Sequence, residues 1–231
     1  MKKIFYNILG ITMLFIGFTA CEDNTDGFYD NIPRIYFNAD SLNYSFGDQL
    51  AEYTRHTFYY PVKMLGMKAT HEMKYKIEVD EAQSTAQKDI HYVALQEEYS
   101  LLPDSVNAYF PIELIRDKMP DTDTSFRLVL KLVANDEFQT GITESLTAVL
   151  TMNNYLEEPA WWTPNLGSTG PYQPGKYQRL IAYYGSPEKV EQATASYLEI
   201  MYAFKTQVYD YAQEHPEAGF IFEENIWWPF E

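Results

Sequence analysis

The histidines and carboxylates of this chain approach two metal-binding patterns and complete neither. His71 and Glu72 begin like the zinc-protease motif, in which two histidines four residues apart share one helix face. Tyr75 stands at the position of the second histidine, and the segment around it alternates as a strand does. The stretch from Glu22 to Gly27 resembles part of a calcium loop, but Pro33 stands where a bidentate glutamate belongs. We therefore predict no metal site.

Catalytic patterns are missing as well. Glycosidases need two carboxylates that face one cleft, whereas adjacent residues of an extended chain point apart. The acidic pairs here are adjacent: Glu97 with Glu98, Glu157 with Glu158, and Glu223 with Glu224. The sequence has neither a Gly-x-Ser-x-Gly elbow nor a Gly-rich phosphate loop ending in Lys-Ser/Thr. We expect a protein that is not an enzyme and needs no cofactor.

Tryptophans are the remaining candidates for binding. They form two adjacent pairs, Trp161 with Trp162 and Trp227 with Trp228. Exposed aromatic rings stack on sugar faces and anchor protein interfaces, and buried ones fill cores. Three interpretations stay open: a glycan platform, a protein interface, and a seal between a β-domain and C-terminal helices.

Composition limits the class of protein. The chain has 231 residues, of which 46% are hydrophobic and 16% aromatic, enough to bury a core. Lys and Arg total 17 against 33 Asp and Glu, a net charge of -16. So acidic a chain lacks the cationic footprint of a nucleic-acid-binding protein. A single Cys excludes an internal disulfide and a Cys-rich zinc site.

The N-terminus has the order of a bacterial lipoprotein signal. Lysines at positions 2 and 3 precede an uncharged apolar run over residues 8–18, and small residues at 19 and 20 precede Cys21. We expect residues 1–20 to be a signal peptide and Cys21 to carry lipid, although Phe18 stands where Leu is usual. A lipid anchor of several acyl chains holds a protein stably at a membrane. The alternatives are an ordinary secreted protein and a small buried Cys.

Acidic residues follow the cysteine directly. Glu22 and Asp23 open a run that belongs to a tether over residues 21–29. Such a run is typical of a solvated segment. It also resembles the surface-export signal of Bacteroidetes lipoproteins, and that resemblance implies the outer face of the outer membrane.

Short strands in series predict an antiparallel, immunoglobulin-like β-sandwich over residues 30–152. Met73, Tyr75 and Ile77 alternate with Lys74 and Lys76, the period of a half-buried strand. The candidate strands lie at 34–37, 57–62, 73–79, 109–115, 125–133 and 146–152. Because no helical pattern separates them, the series favours a sandwich over an α/β fold.

The last third of the chain reads as helical. A Pro/Gly/Trp-rich linker is expected at 153–176, followed by a helical region at 177–231 with a short helix and a longer amphipathic one. Ser186 and Pro187 form a strong helix start. Apolar residues then recur at helical spacing: Val190, Ala193, Tyr197, Met201, Phe204, Val208 and Tyr211.

Two resemblances extend this interpretation. Thr85, Ala86, Asp89 and Tyr92 resemble the connection found in Calx-β-like immunoglobulin-fold sandwiches, with Lys88 in place of the usual Gly and no calcium-ligating acidic cluster. The whole chain resembles an uncharacterised family of Bacteroidetes surface lipoproteins associated with SusC/SusD-like uptake systems. That resemblance implies an accessory binding or scaffold component that joins a TonB-dependent transporter and a SusD-like lipoprotein. Its ligand would be an oligosaccharide or a peptide.

Other functions remain open from sequence. One is a stand-alone glycan-binding lipoprotein that uses exposed tryptophans. Less favoured are a cryptic hydrolase and an adhesion protein, because sandwich domains serve many functions.

Overall fold

The alternating segments of the sequence pair into two sheets. The computed structural model describes residues 33–141 and 145–230, and nine strands form within them. They are β1 (Arg34–Phe37), β2 (Ser41–Ser45), β3 (Arg55–Leu65), β4 (Met73–Val79), β5 (Tyr99–Leu101), β6 (Asn107–Ile115), β7 (Ser125–Val133), β8 (Gln139–Thr140) and β9 (Thr147–Asn153). One sheet has the order β6-β3-β1-β8, the other β2-β9-β7-β4-β5. The predicted β-sandwich with C-terminal helices is confirmed.

Period-two alternation directs one face of each sheet into a common core. Met73, Tyr75 and Ile77 of β4 are buried, as their spacing predicts. Phe37 and Tyr60 of the other sheet pack edge to face, with ring centroids 5.6 Å apart. Neighbouring strands are antiparallel except for β1 with β8 and β2 with β9, which are parallel.

Pro61 lies in an inner strand, although its residue type suggested an edge or a bulge. β3 pairs with β6 on one side and with β1 on the other. The pairing with β1 ends at Phe37 opposite Val62, and the Asn38 N–H still donates to the Pro61 carbonyl at 3.2 Å. The missing N–H of the proline therefore falls just past the end of β1, where the ladder no longer needs it.

Five α-helices follow the sandwich within the described residues. They are α1 (Trp162–Leu166), α2 (Pro174–Tyr184), α3 (Pro187–Ala193), α4 (Tyr197–Phe204) and α5 (Asp210–Glu214), and a π-helical turn, Lys205–Tyr209, joins α4 to α5. Ser186 caps α3 as predicted, and its hydroxyl accepts the Lys189 N–H. In the described part of the chain no helix has the length and apolarity that crossing a membrane requires.

The predicted apolar stripe is interrupted between α3 and α4. Ser196 begins a new helix there, and its hydroxyl accepts the N–H of Glu199 at 3.3 Å. The new start changes the helical phase, so Tyr197, a member of the stripe, is 40% exposed. Val190, Met201 and Phe204 keep their predicted places in a second hydrophobic core.

The sandwich and the helical region meet at Gly47. The buried side-chain amide of Gln178 in α2 donates to the Gly47 carbonyl at 2.8 Å. A Cβ at position 47 would lie 2.1 Å from the Tyr155 carbonyl oxygen, so only glycine allows this close approach of two backbone segments.

Candidate functional site

The four tryptophans occupy different environments. Trp162 and Trp228 are buried, with exposed fractions of 1% and 8%, and Trp161 is half-buried. Trp227 is 71% exposed. Only Trp227 of this set presents a broad free surface, and the others belong to the packing of the helical region.

Trp162 is the centre of that packing. Its ring makes edge contacts with Tyr172, Tyr177 and Phe204 at centroid distances of 5.1 to 6.1 Å. Its Nε1–H has no hydrogen-bond acceptor among the described residues. An aromatic ring face is a weak acceptor for an N–H group, and the aromatic rings packed around Trp162 are of this kind.

The other predicted site residues lie elsewhere. Cys21, Glu22 and Asp23 fall outside the described residues, so the expected lipid anchor and export signal have no structural description. Within the described ranges, no group of three or more His, Cys, Asp or Glu side chains is arranged to hold a metal ion.

A cleft of about 590 Å³ opens between the sandwich and the helical region. We call it the inter-region cleft. The sandwich side of its wall includes Leu50, Glu52, Arg116, Asp117, Asp121 and Asn154. The helical side includes Gln173, Gln178, Arg179, Tyr211 and Phe220. This volume lies in the range of small-molecule binding sites.

Arg116 is the most constrained polar group of the cleft. The residue follows β6 directly and is 7% exposed. Its Nε donates to the Asn154 side-chain oxygen at 2.8 Å, and its Nη1 donates to the Leu50 carbonyl at 2.6 Å and the Tyr53 carbonyl at 3.3 Å. Its Nη2 has no hydrogen-bond partner among the described residues. The structure thus holds one free guanidinium donor at a fixed position in the cleft wall.

Arg179 lies on the opposite wall. Its guanidinium carbon lies 3.3 Å from the ring centroid of Tyr211, and its Nε donates to the Gln207 carbonyl at 2.8 Å. His215 stacks on the same tyrosine at 4.3 Å. The cation–π contact fixes the arginine, so its terminal nitrogens remain as donors for a ligand.

Gln173, the N-cap of α2, and Lys176 within α2 hold the C-terminal segment in place. The Gln173 amide donates to the Gly219 carbonyl at 3.1 Å and accepts the Ile221 N–H at 2.6 Å. The Lys176 ammonium donates to the carbonyls of Pro171 and Ile221. These bonds hold Phe220 between them as part of the cleft wall.

Carboxylates complete the cleft. Glu52, Asp117 and Asp121 line it, and all three residues are exposed. Burial lowers the pKa of Arg116, whereas the nearby carboxylates of Asp48 and Glu52 oppose that shift. The guanidinium therefore remains charged with acidic groups close by, and the cleft presents donors and acceptors together.

A second surface is aromatic. Tyr183, Leu198, Tyr202 and Phe230 line a shallow apolar groove of about 380 Å³ on the helical region. Each is at least 37% exposed. Trp227 does not line this groove, although it lies three residues before Phe230. The tyrosines that form much of the groove were not indicated by the spacing of the tryptophans.

Sequence reasoning missed the inter-region cleft. Its polar groups come from two loops of the sandwich and from helices more than fifty residues later, so no local spacing connects them. Arg116 was the one weak indication in the sequence. An arginine that directly follows an apolar strand is expected to be buried, and a buried charge needs hydrogen-bond partners.

Solved structures offer remote similarities. CBD12 from CALX1.2 is 16% identical with a TM-score of 0.40, over 52% of this chain and 43% of that one. A "putative carbohydrate binding protein" from Bacteroides ovatus is 12% identical with a TM-score of 0.41, over 53% of this chain and 37% of that one. A Bacteroides ovatus protein of unknown function is 16% identical with a TM-score of 0.39, over 55% of this chain and 46% of that one.

The chain thus spans less than half the length of each of these structures. No curated protein sequence matches it. A family model does match, over residues 23–186, which include the whole sandwich, α1 and α2. The chain belongs to the family defined by this model, the domain of unknown function DUF4843.

Proposed function

We propose that this protein is a lipid-anchored binding component of the outer cell surface, accessory to a SusC/SusD-like nutrient uptake complex. In this proposal Cys21 carries the lipid and Glu22 and Asp23 direct export to the outer face of the outer membrane. The body then captures an oligosaccharide or a peptide in the inter-region cleft for a TonB-dependent transporter and its SusD-like partner.

One observation carries the binding role: the free Nη2 donor of Arg116. Three hydrogen bonds to the protein hold the guanidinium, and a ligand meets a donor whose position is already fixed. Such preorganisation reduces the entropy lost on binding.

The aromatic groove supports the partner role. Tyr183, Leu198 and Tyr202 are each more than half exposed on neighbouring helices. Contiguous exposed aromatic surface of this kind is typical of protein interaction sites. It lies on a different set of residues from the cleft, so ligand and partner need not compete.

Anchoring is tested by comparing wild type with Cys21→Ser in the native host. Because the lipid supplies the membrane affinity, we expect the wild-type protein in the outer-membrane fraction and the variant in the soluble fraction.

Protease treatment of intact cells tests whether the anchored protein faces the cell exterior, because only a protein on the outer face is digested. Replacing Glu22 and Asp23 with Ala should protect the protein from protease, whereas the control Asp30→Ala should leave it accessible.

Association is tested by mild detergent extraction and affinity purification of the wild-type protein. Co-purification of a TonB-dependent transporter or a SusD-like lipoprotein is the expected result. Recovery of the protein alone, from membranes that contain both, would contradict the accessory role.

A stand-alone glycan-binding lipoprotein is the second candidate, and the 71% exposure of Trp227 favours it. A free indole face stacks on sugar rings. Under this alternative, Trp227→Ala abolishes polysaccharide retention in affinity electrophoresis while substitutions in the inter-region cleft leave it unchanged.

A further inference from the structure

We infer that the inter-region cleft selects a neutral polyhydroxylated ligand, an uncharged oligosaccharide segment, over an anion or a peptide. This inference rests on the proposed binding function and names the ligand class of the same site. It follows from the charge balance of the cleft, from the kind of polar groups in it, and from the elements that build it.

Charge balance argues against an anion. Two guanidinium groups, those of Arg116 and Arg179, face three carboxylates, those of Glu52, Asp117 and Asp121. The whole chain carries a net charge of -16. An anionic ligand in the cleft would share it with these three carboxylates, and like charges at short range repel.

The polar groups suit hydroxyls. A sugar hydroxyl both donates and accepts, so it satisfies a carboxylate and a guanidinium at the same time. Arg116 Nη2 and the terminal nitrogens of Arg179 offer donors, and Glu52 and Asp117 offer strong acceptors. A neutral polyol is the ligand class that uses both sets without leaving either unpaired.

The building elements argue against a peptide. Two common modes of peptide binding add a strand to an open sheet edge or place a helix in an apolar groove. The residues that line this cleft come from loops, from helices and from the C-terminal segment, and none of them lies in a strand. The backbone of a peptide therefore finds no strand edge to pair with in this cleft.

The carboxylates of the cleft allow a direct test, because removing them should weaken the binding of a neutral ligand and strengthen the binding of an anion. We would screen the full mature chain by calorimetry against neutral oligosaccharides and their uronic-acid counterparts, at 50 and 300 mM NaCl. The best binder is then measured with the double variant Glu52→Gln, Asp117→Asn. The control is Glu97→Gln, Glu98→Gln, which removes the same charge from exposed residues that do not line the cleft.

The expected result is that a neutral member binds, that salt changes its affinity little, and that the cleft variant binds it about tenfold more weakly. The loss reflects charge-assisted hydrogen bonds replaced by neutral ones. The control should bind like wild type.

Any of four results would overturn the inference. One is tighter binding of the acidic counterpart with a further gain in the cleft variant, since removing carboxylates helps an anion. Another is an equal loss in the control. The third is that no neutral member binds. A peptide that binds in the cleft sinks this inference and leaves the proposed binding function standing.

Discussion

Lys176 carries its ammonium group into the interior of the helical region. The residue has no exposed surface, and its Nζ lies 4.7 Å from the ring centroid of Phe222. Carbonyl oxygens of Pro171 and Ile221 accept its hydrogens. Burial lowers the pKa of Lys176 to about 8, because removing an ammonium from water disfavours its charged form.

Because the pKa of Lys176 is lower in the folded protein than in the unfolded chain, its contribution to stability increases with pH. Between about pH 8 and the unfolded value of about 10.4, the unfolded chain binds more protons than the folded one. The contribution of Lys176 to the free energy of unfolding should therefore rise with pH over 8 to 9, by up to about 1.4 kcal/mol per unit. Buried tyrosines such as Tyr60 and Tyr172, whose pKa values burial raises, contribute the opposite sign as pH approaches 10.

Urea denaturation of the mature chain at several pH values measures this slope. Lys176→Met, which removes the titrating group, should flatten it, whatever its effect on stability at pH 7. Lys189→Met, at an exposed residue of α3, is the matched control and should keep the slope. Equal slopes for wild type and Lys176→Met over pH 8 to 9 would contradict the assignment.

At the scale of single residues, sequence predicted burial better than partnership. Met73, Tyr75 and Ile77 are buried as their alternation predicts. The partners of Lys176 and Arg116 lie 45 and 66 residues away or are carbonyl groups, which carry no side-chain signal. No pattern in the sequence therefore pointed to them.

At the scale of elements, Gly47 controls how the sandwich meets α2. The segment after β2 passes so close to Tyr155 that a Cβ has no room, and the Gly47 carbonyl accepts the Gln178 amide. Gly47→Ala should lower the free energy of unfolding by about 1–3 kcal/mol, the usual cost of overpacking.

Gly167→Ala is the matched control for this substitution. Its Cβ would meet Thr163 at an ordinary 3.5 Å, and its φ of -57° suits any residue. Chemical denaturation compares the two variants. Equal stabilities would show that the contact at Gly47 relaxes without cost and that the joint is loose.

Periodicity predicted the long elements and missed the short ones. β4 and β7 alternate over seven and nine residues, enough for the pattern to be recognised. β5 and β8 have three and two residues and owe their strand geometry to their neighbours. The break before α4 was also hidden, because a spacing of four between Ala193 and Tyr197 fits an unbroken helix.

At the scale of the whole molecule, the three proposed tasks fall on different residues. The N-terminal residues are proposed to anchor, the inter-region cleft to bind cargo, and the aromatic groove to contact a partner. Strand and helix periodicity predicted the fold class and composition predicted the acidic body, whereas the cleft exists only where sandwich and helices meet. Its donors and acceptors therefore had to be found in three dimensions.

The central claim is that the inter-region cleft, rather than Trp227, holds the ligand. Hydrogen–deuterium exchange of the mature chain, with and without the tightest-binding neutral oligosaccharide, tests it most directly. We predict slower exchange in residues 50–54, 116–121 and 173–179, which line the cleft. Protection confined to the segment around Trp227, with the cleft unchanged, would contradict the account.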